Sequence, residues 1–250
     1  LGIYSNNLDE FFRVRIASLN RIAQSKDKTL KNDRERAKRT IKDINHLNSC
    51  YNKEFEKAVQ EITEELEQKG IRLLHENQLN DEQKDFIQRF YLEKLNGSTN
   101  PIWLSQIKEI GATADDGIFL AIKRMEWIEG KKKPKTDYAL IAMPDKEIGR
   151  FVRLPKSDEK ENIMFLDDVI RYSLPMIVVG SGNCTYEAYS FKFTKDAEME
   201  MDNDLGSGVM QKVARGVKSR KSGEPIRVIY DDSMPKDLLK HIMSRLNIDT

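Results

Sequence analysis

The strongest constraint on this chain is one long apolar stripe. Ile41, Ile44, Leu47, Tyr51, Phe55, Val59, Ile62 and Leu66 recur at steps of three or four from about Asp33 to Lys69, the spacing of one helix face. Gly70 follows directly, the residue that most readily ends a helix in the left-handed region. A helix of about 36 residues is roughly 54 Å long. Such a rod cannot bury its stripe alone and needs partners. The nearest in sequence is a helix predicted over 8–24, where Phe11, Phe12, Ile16, Leu19 and Ile22 repeat at the same period. Asn7 stands where an N-cap belongs, with Glu10 three residues on as in a capping box. The polar stretch SKDKTLKND turns the chain between the two helices. An antiparallel helical N-terminal domain over 1–70 is therefore expected.

After Gly70 the texture changes. A shorter helix fits 80–95, with Asn80 as its cap and Phe86, Ile87, Phe90 and Leu95 inward. Strands are predicted over 117–127, 138–143, 151–154, 186–194 and 225–230. YEAYSFKF sets Glu187, Tyr189, Phe191 and Phe193 against Tyr186, Ala188, Ser190 and Lys192, an alternation that gives one apolar sheet face. Helices are predicted over 162–179, 207–222 and 235–246, the last with Pro235 in its first turn. GKKKPK links two strands as a hairpin would. The class is α+β: a helical N-terminal domain, then a mixed, largely antiparallel sheet with flanking helices over 71–250.

Composition removes several functions. With 42 basic and 41 acidic residues the formal net charge is +1, so no global field draws nucleic acid or an anionic membrane. No run approaches the ~20 apolar residues of a membrane span. Cys50 and Cys184 make no disulfide framework, which fits a reducing cytoplasm. His46, His75 and His241 are scattered without metal-ligand spacing, so no metal ligands are expected.

Local candidates are few. P-loop, GxGxxG, HExxH and nucleophile-elbow patterns do not occur in the sequence, and Gly180-Ser181-Gly182 lacks the Lys-Ser/Thr of a phosphate loop. Asn6 and Asn7 at a helix start suit an anion or a nucleotide edge, or a plain cap. Arg13 and Arg15 could reach a phosphate or pair with carboxylates. Lys131, Lys132, Lys133 and Lys135 read as a solvated hairpin tip whose contacts the sequence leaves open. Arg215, Lys218, Arg220 and Lys221 suit a helix C-terminus or a polyanion, and Glu198, Glu200, Asp202 and Asp204 an acidic loop or a metal.

The run LGIYSNNLDEFFRVRIASLNR resembles the N-terminal domain of the long, histidine-phosphorylating bacterial polyphosphate kinases. KEIGRFVRLP, ENIMFLDDVIRYSL, FTKDAEMEMDNDL and GEPIRVIYDDSMPKDLL resemble the family's head domain in order and spacing. The resemblance implies an enzyme that reversibly moves the terminal phosphate of ATP to inorganic polyphosphate through a phosphohistidine. It implies Mg²⁺, with the ligands and the reactive histidines in C-terminal domains that are expected to lie beyond Thr250. The chain is expected to enter the N-terminal domain partway, and the fragment is expected to be inactive alone. On this resemblance no catalytic residue is assigned to the chain. Asn7 is the ATP-binding residue, and Leu1 a weaker candidate against the adenine. The head domain implies homo-oligomerisation. The expected location is cytoplasmic, with peripheral membrane association left open. The alternative is a stand-alone interaction module that kept the fold without the chemistry. A nucleic-acid binder using the Arg215–Lys221 cluster is disfavoured by the net charge.

Overall fold

The computed structural model describes residues 1–110, 117–178, 183–195 and 225–248. These fall into two compact units. One takes in Leu1–Gln60 with 193–195 and 225–229; the other takes in 61–110, 117–178, 183–192 and 230–248.

In the first unit, helix α1 (Gly2–Phe11) runs through a π turn at Phe12–Ile16 into α2 (Ala17–Gln24). The helix thus begins well before residue 8. Nothing in 3–8 breaks it, and Tyr4, Leu8 and Phe12 extend the apolar face upstream at i, i+4 spacing. Asn7 consequently sits inside α1 and caps no helix end, which corrects the capping expectation. Asp27 nucleates the turn that follows: its Oδ1 accepts from the Thr29 N–H at 2.9 Å. Helix α3 (Lys31–Gln68) matches the predicted rod, and Gly70 ends it with φ of 81°. Tyr4 meets Phe55 with ring centroids 5.8 Å apart. The stripe is otherwise poorly covered. Ala37 is the buried residue of α3, whereas Leu47 is 53% and Tyr51 51% exposed. Arg227 places a guanidinium nitrogen 2.5 Å from Asp9 Oδ1 and lies over the Phe12 ring at 4.7 Å.

The second unit contains strand β1 (Ile71–Leu74) and helix α4 (Asp81–Phe90), which continues as a π turn at Tyr91–Leu95. Strands β2 (Ile102–Trp103), β3 (Ile118–Trp127) and β4 (Lys135–Ala142) follow, then the one-turn α5 (Asp145–Ile148). Next come β5 (Phe151–Ser157), β6 (Lys160–Phe165) and α6 (Leu166–Ile177). The last described elements are β7 (Asn183–Lys195), β8 (Pro225–Tyr230) and α7 (Lys236–Arg245), of which residues 193–195 and 225–229 fall in the first unit. Asn80 caps α4 in a reciprocal box: its Oδ1 accepts from the Gln83 N–H at 2.9 Å, and Gln83 Oε1 accepts from the Asn80 N–H at 3.1 Å. One sheet has the order β1-β6-β5, with β1 and β6 parallel; the other has the order β2-β4-β3-β7-β8. The GKKKPK link is the hairpin tip between antiparallel β3 and β4.

The fold is α+β, with N-terminal helices and mixed, largely antiparallel sheets, as expected. Several elements depart from prediction. β1 and β2 were not foreseen, and residues 160–165 form a strand where a helix start was predicted. The β6 backbone pairs on both sides, with β1 and with β5. Its fully buried Asn162 donates to the Pro155 carbonyl at 3.0 Å and to Ser157 Oγ at 2.9 Å. Pro235 precedes α7 as its cap residue rather than sitting in the first turn. The predicted helix at 207–222 lies outside the described residues.

The sheet of β3 is covered on both faces, not one. Leu120, Ile122, Ala139 and Ile141 join Ile87, Leu95, Val169 and Ile170 in one apolar cluster. On the opposite face Phe119 meets Phe191, with centroids 6.4 Å apart. Tyr138 meets His241 of α7 on that face at 4.3 Å, and its hydroxyl donates to Asp237 Oδ2 at 2.9 Å.

Candidate functional site

Parallel pairing positions a cleft in the second unit. Leu74 of β1 is in register with Met164 of β6, so both strands end at the same edge. The chain leaves β1 into His75-Glu76-Asn77-Gln78 and leaves β6 into the first turn of α6. That turn carries Asp167 and Asp168, whose charges suit the positive end of the helix. The His75 loop is pinned by its own turn: Gln78 Oε1 accepts from the His75 N–H at 2.9 Å.

His75 Nδ1 lies 2.9 Å from Asp168 Oδ2. An ionised carboxylate only accepts, so the ring donates here. Arg171, one turn along α6, pairs with Asp168 Oδ1, lies 3.8 Å from Glu76 Oε2 and donates through Nε to the Ala188 carbonyl at 3.1 Å. The Asp168 side chain is 7% exposed. Burial raises its pKa above the ordinary carboxylate value, against the pull of Arg171 and the His75 bond. Asp167 is held by Arg150 at 3.5 Å and by the Ser190 hydroxyl at 3.1 Å. The cleft between these groups and β7 measures about 900 Å³ and is lined with tyrosines 172, 186 and 189. Tyr186 donates to the Val178 carbonyl at 2.7 Å and Tyr189 to Glu187 at 3.2 Å; burial raises the pKa of both phenols. Carboxylates, tyrosines and the Arg171 guanidinium thus line one cleft.

Sequence reading missed this cluster. His75 and Asp168 are 93 residues apart, and both strands that join them escaped prediction. The available signals were the four-residue run IRLL after Gly70 and the alternating ENIMF before LDD.

The predicted candidates are dispersed. Asn7 is exposed on α1, in the other compact unit. Leu1 is 49% exposed. Arg13 faces Glu10 at 4.0 Å, and Arg15 is exposed. Lys131, Lys132 and Lys133 are exposed at the hairpin tip, and Lys135 pairs with Asp137 at 3.6 Å. His46 is exposed on α3. Cys50 and Cys184 are free thiols. Arg215, Lys218, Arg220 and Lys221, the acidic string from Glu198 to Asp204, and Gly180-Ser181-Gly182 lie outside the described residues. Among the described residues, no helix is long and apolar enough to cross a membrane.

Comparison with known proteins places this architecture. The family profile for the polyphosphate kinase N-terminal domain matches residues 1–74, and the profile for the polyphosphate kinase middle domain matches residues 82–250. A polyphosphate kinase of Vibrio parahaemolyticus is 29% identical over 255 residues, covering 99% of this chain and 35% of the relative. A polyphosphate kinase of Escherichia coli K12 is 30% identical over 252 residues, covering 99% and 36%. The crystal structure of polyphosphate kinase from Porphyromonas gingivalis superposes with a TM-score of 0.69 at 25% identity, covering 99% of this chain and 33% of that one. The chain thus spans about a third of the length of these relatives, and it belongs to the polyphosphate kinase family.

Proposed function

We propose that this chain is the N-terminal and head-domain part of an enzyme that reversibly transfers the terminal phosphate of ATP to inorganic polyphosphate through a phosphohistidine. The observation that carries the reading is the match of two consecutive family domains, in order, across residues 1–74 and 82–250. In this reading residues 1–70 form the helical N-terminal domain and residues 71–250 the head through which the protein forms homo-oligomers. The protein works in the cytoplasm.

Asn7 is the residue assigned to ATP. Its position supports this: it is exposed within α1 and is not used as a cap, so its amide is available to donate to and accept from a nucleotide edge. Phosphoryl transfer needs an aligned nucleophile and neutralisation of the transferring group's charge. The histidines of this chain are otherwise engaged or placed: His75 with Asp168, His241 against Tyr138, and His46 on the exposed side of α3. In this reading, as the resemblance to the family implies, none of the three is the phosphorylated histidine.

Two assays test the reading. The purified 250-residue chain should show no ATP-dependent polyphosphate synthesis; synthesis by this chain alone would overturn the division of labour. In the full-length enzyme Asn7→Ala should raise the apparent KM for ATP several-fold at an unchanged melting temperature. An unchanged KM would remove Asn7 from the ATP site. Sequence past Thr250 without domains bearing catalytic histidines would favour a stand-alone interaction module.

A further inference from the structure

We propose that His75, Glu76 and Asp168 form a binding site for a divalent transition-metal ion at the shared end of β1 and β6. A ring nitrogen of His75 and one carboxylate oxygen from each of Glu76 and Asp168 lie within 4.8 Å of one another. Metal–nitrogen and metal–oxygen bonds of about 2.1 Å place neighbouring ligand atoms roughly 3.0 Å apart in an octahedral site and roughly 3.4 Å apart in a tetrahedral one. The hydrogen-bonded 2.9 Å between His75 Nδ1 and Asp168 Oδ2 equals a neighbouring-ligand separation, so an ion can take the place of the shared proton, which is released to water on binding. Glu76, with its side chain 34% exposed, has the freedom to swing the remaining distance.

Arg171 is the obvious objection, because a guanidinium repels a cation. Its placement answers much of it. Arg171 pairs with Asp168 Oδ1 and faces Glu76 Oε2. It therefore engages one oxygen of each carboxylate, and leaves to the ion Glu76 Oε1 and, once the His75 proton is displaced, Asp168 Oδ2. Bonds of this kind, made to a ligating carboxylate by a group that does not itself touch the ion, orient that carboxylate. The charge balance also favours a cation. Glu76, Asp167, Asp168, Glu187 and Asp231 line the cleft, against the guanidinium of Arg171 and that of Arg150 paired with Asp167.

One imidazole and two carboxylates suit Zn²⁺ or Mn²⁺ better than Mg²⁺, which prefers oxygen ligands and keeps its waters. With three protein ligands on one side and the cleft on the other, coordination positions stay open. The ion would then carry water or an anionic group into a space of about 900 Å³ walled by tyrosines.

Calorimetric titration of the chelator-stripped 250-residue chain with ZnCl₂, and separately with MgCl₂, tests the site. One Zn²⁺ per chain is expected, bound at least about a hundredfold more tightly than Mg²⁺. His75→Ala and Glu76→Gln should each weaken Zn²⁺ by about tenfold or more. Both residues are solvent-accessible, so the melting temperature of the metal-free chain should move by no more than a few degrees. Cys50→Ser, Cys184→Ser and His241→Gln should leave the affinity unchanged. No Zn²⁺ heat, an affinity unaffected by His75→Ala and Glu76→Gln, or loss of binding on changing either cysteine would overturn the assignment.

Discussion

Two aspartate–arginine pairs, one in each compact unit, have the same chemistry and different surroundings. In the helical unit Asp9 and Arg227 are 11% and 10% exposed, and the Phe12 ring covers the guanidinium. In the α+β unit Asp168 and Arg171 are 7% and 18% exposed, but His75 and Glu76 join them at the mouth of a cleft. The first pair is sealed by an aromatic face and serves cohesion. The second is buried at its base and open at its rim, so polar groups there meet solvent or ligand. Burial of an ion pair alone therefore does not mark a site; the unsealed donors beside it do.

The two units also differ in how completely they bury their apolar residues. Leu120, Ile122, Ile141, Val169 and Ile170 are at most 1% exposed, whereas the α3 stripe leaves Leu47 and Tyr51 about half exposed. The sharpest test of this contrast is Ile122→Ala, which should cost about 4 kcal/mol by denaturant unfolding, since it removes transferred surface and leaves a cavity in a closed cluster. A loss under about 1 kcal/mol would mean that the cluster relaxes freely and is no tighter than the rod. Next in size, Arg227→Ala should cost about 3 kcal/mol, because it withdraws the guanidinium from a buried carboxylate. Asp9→Asn combined with Arg227→Met should recover most of that loss; a double variant as unstable as Arg227→Ala would assign the cost to packing on Phe12 instead.

A third polar cluster, on the α7 face of the second sheet, is sensitive to alkali. Burial first, and then the Asp237 carboxylate beside it, pushes the Tyr138 phenol up to about 12. A folded-state pKa above the unfolded value gives stability that is complete below pH 10 and fades as pH rises toward 12. The fade from this residue should be on the order of 2 kcal/mol. Tyr138→Phe should make the alkaline melting curve shallower, though not flat, since Tyr186 and Tyr189 are also raised. An unchanged slope would place the alkaline transition in the cleft tyrosines. The smallest effect belongs to the rod: Leu47→Ala should change stability by less than about 0.5 kcal/mol. A loss above about 1 kcal/mol would show that this face is covered in solution.

These contrasts track what the amino-acid order could reveal. Signals carried within a few residues were legible. The period of α3 and its Gly70 stop, the Asn80 cap and the Lys-rich hairpin all emerge at their predicted places. Signals that depend on distant pairing were not. IRLL is too short for its period to separate strand from helix, and it becomes a strand only because residues 161–164 lie beside it. ENIMF runs straight into the apolar pattern of α6, so a helix could absorb it on paper. The cleft inherits both omissions, since its histidine follows one missed strand and its aspartates the other. Asn7 failed as a cap for a related reason: the helix face continues upstream through Tyr4 and Leu8, and capping chemistry is read correctly only when the boundary is.

The parallel pairing of β1 with β6 also orders events in time. The β3–β4 and β5–β6 hairpins close over a few residues and can form within microseconds. The β1–β6 pair must first close a loop that holds α4, the β3–β4 hairpin and β5, and such long-range pairings come late and slowly. His75 therefore emerges from synthesis well before its carboxylate partner on α6 exists, and the cleft is among the last features to mature. A chain halted before residue 165 would carry the imidazole without its aspartate partner.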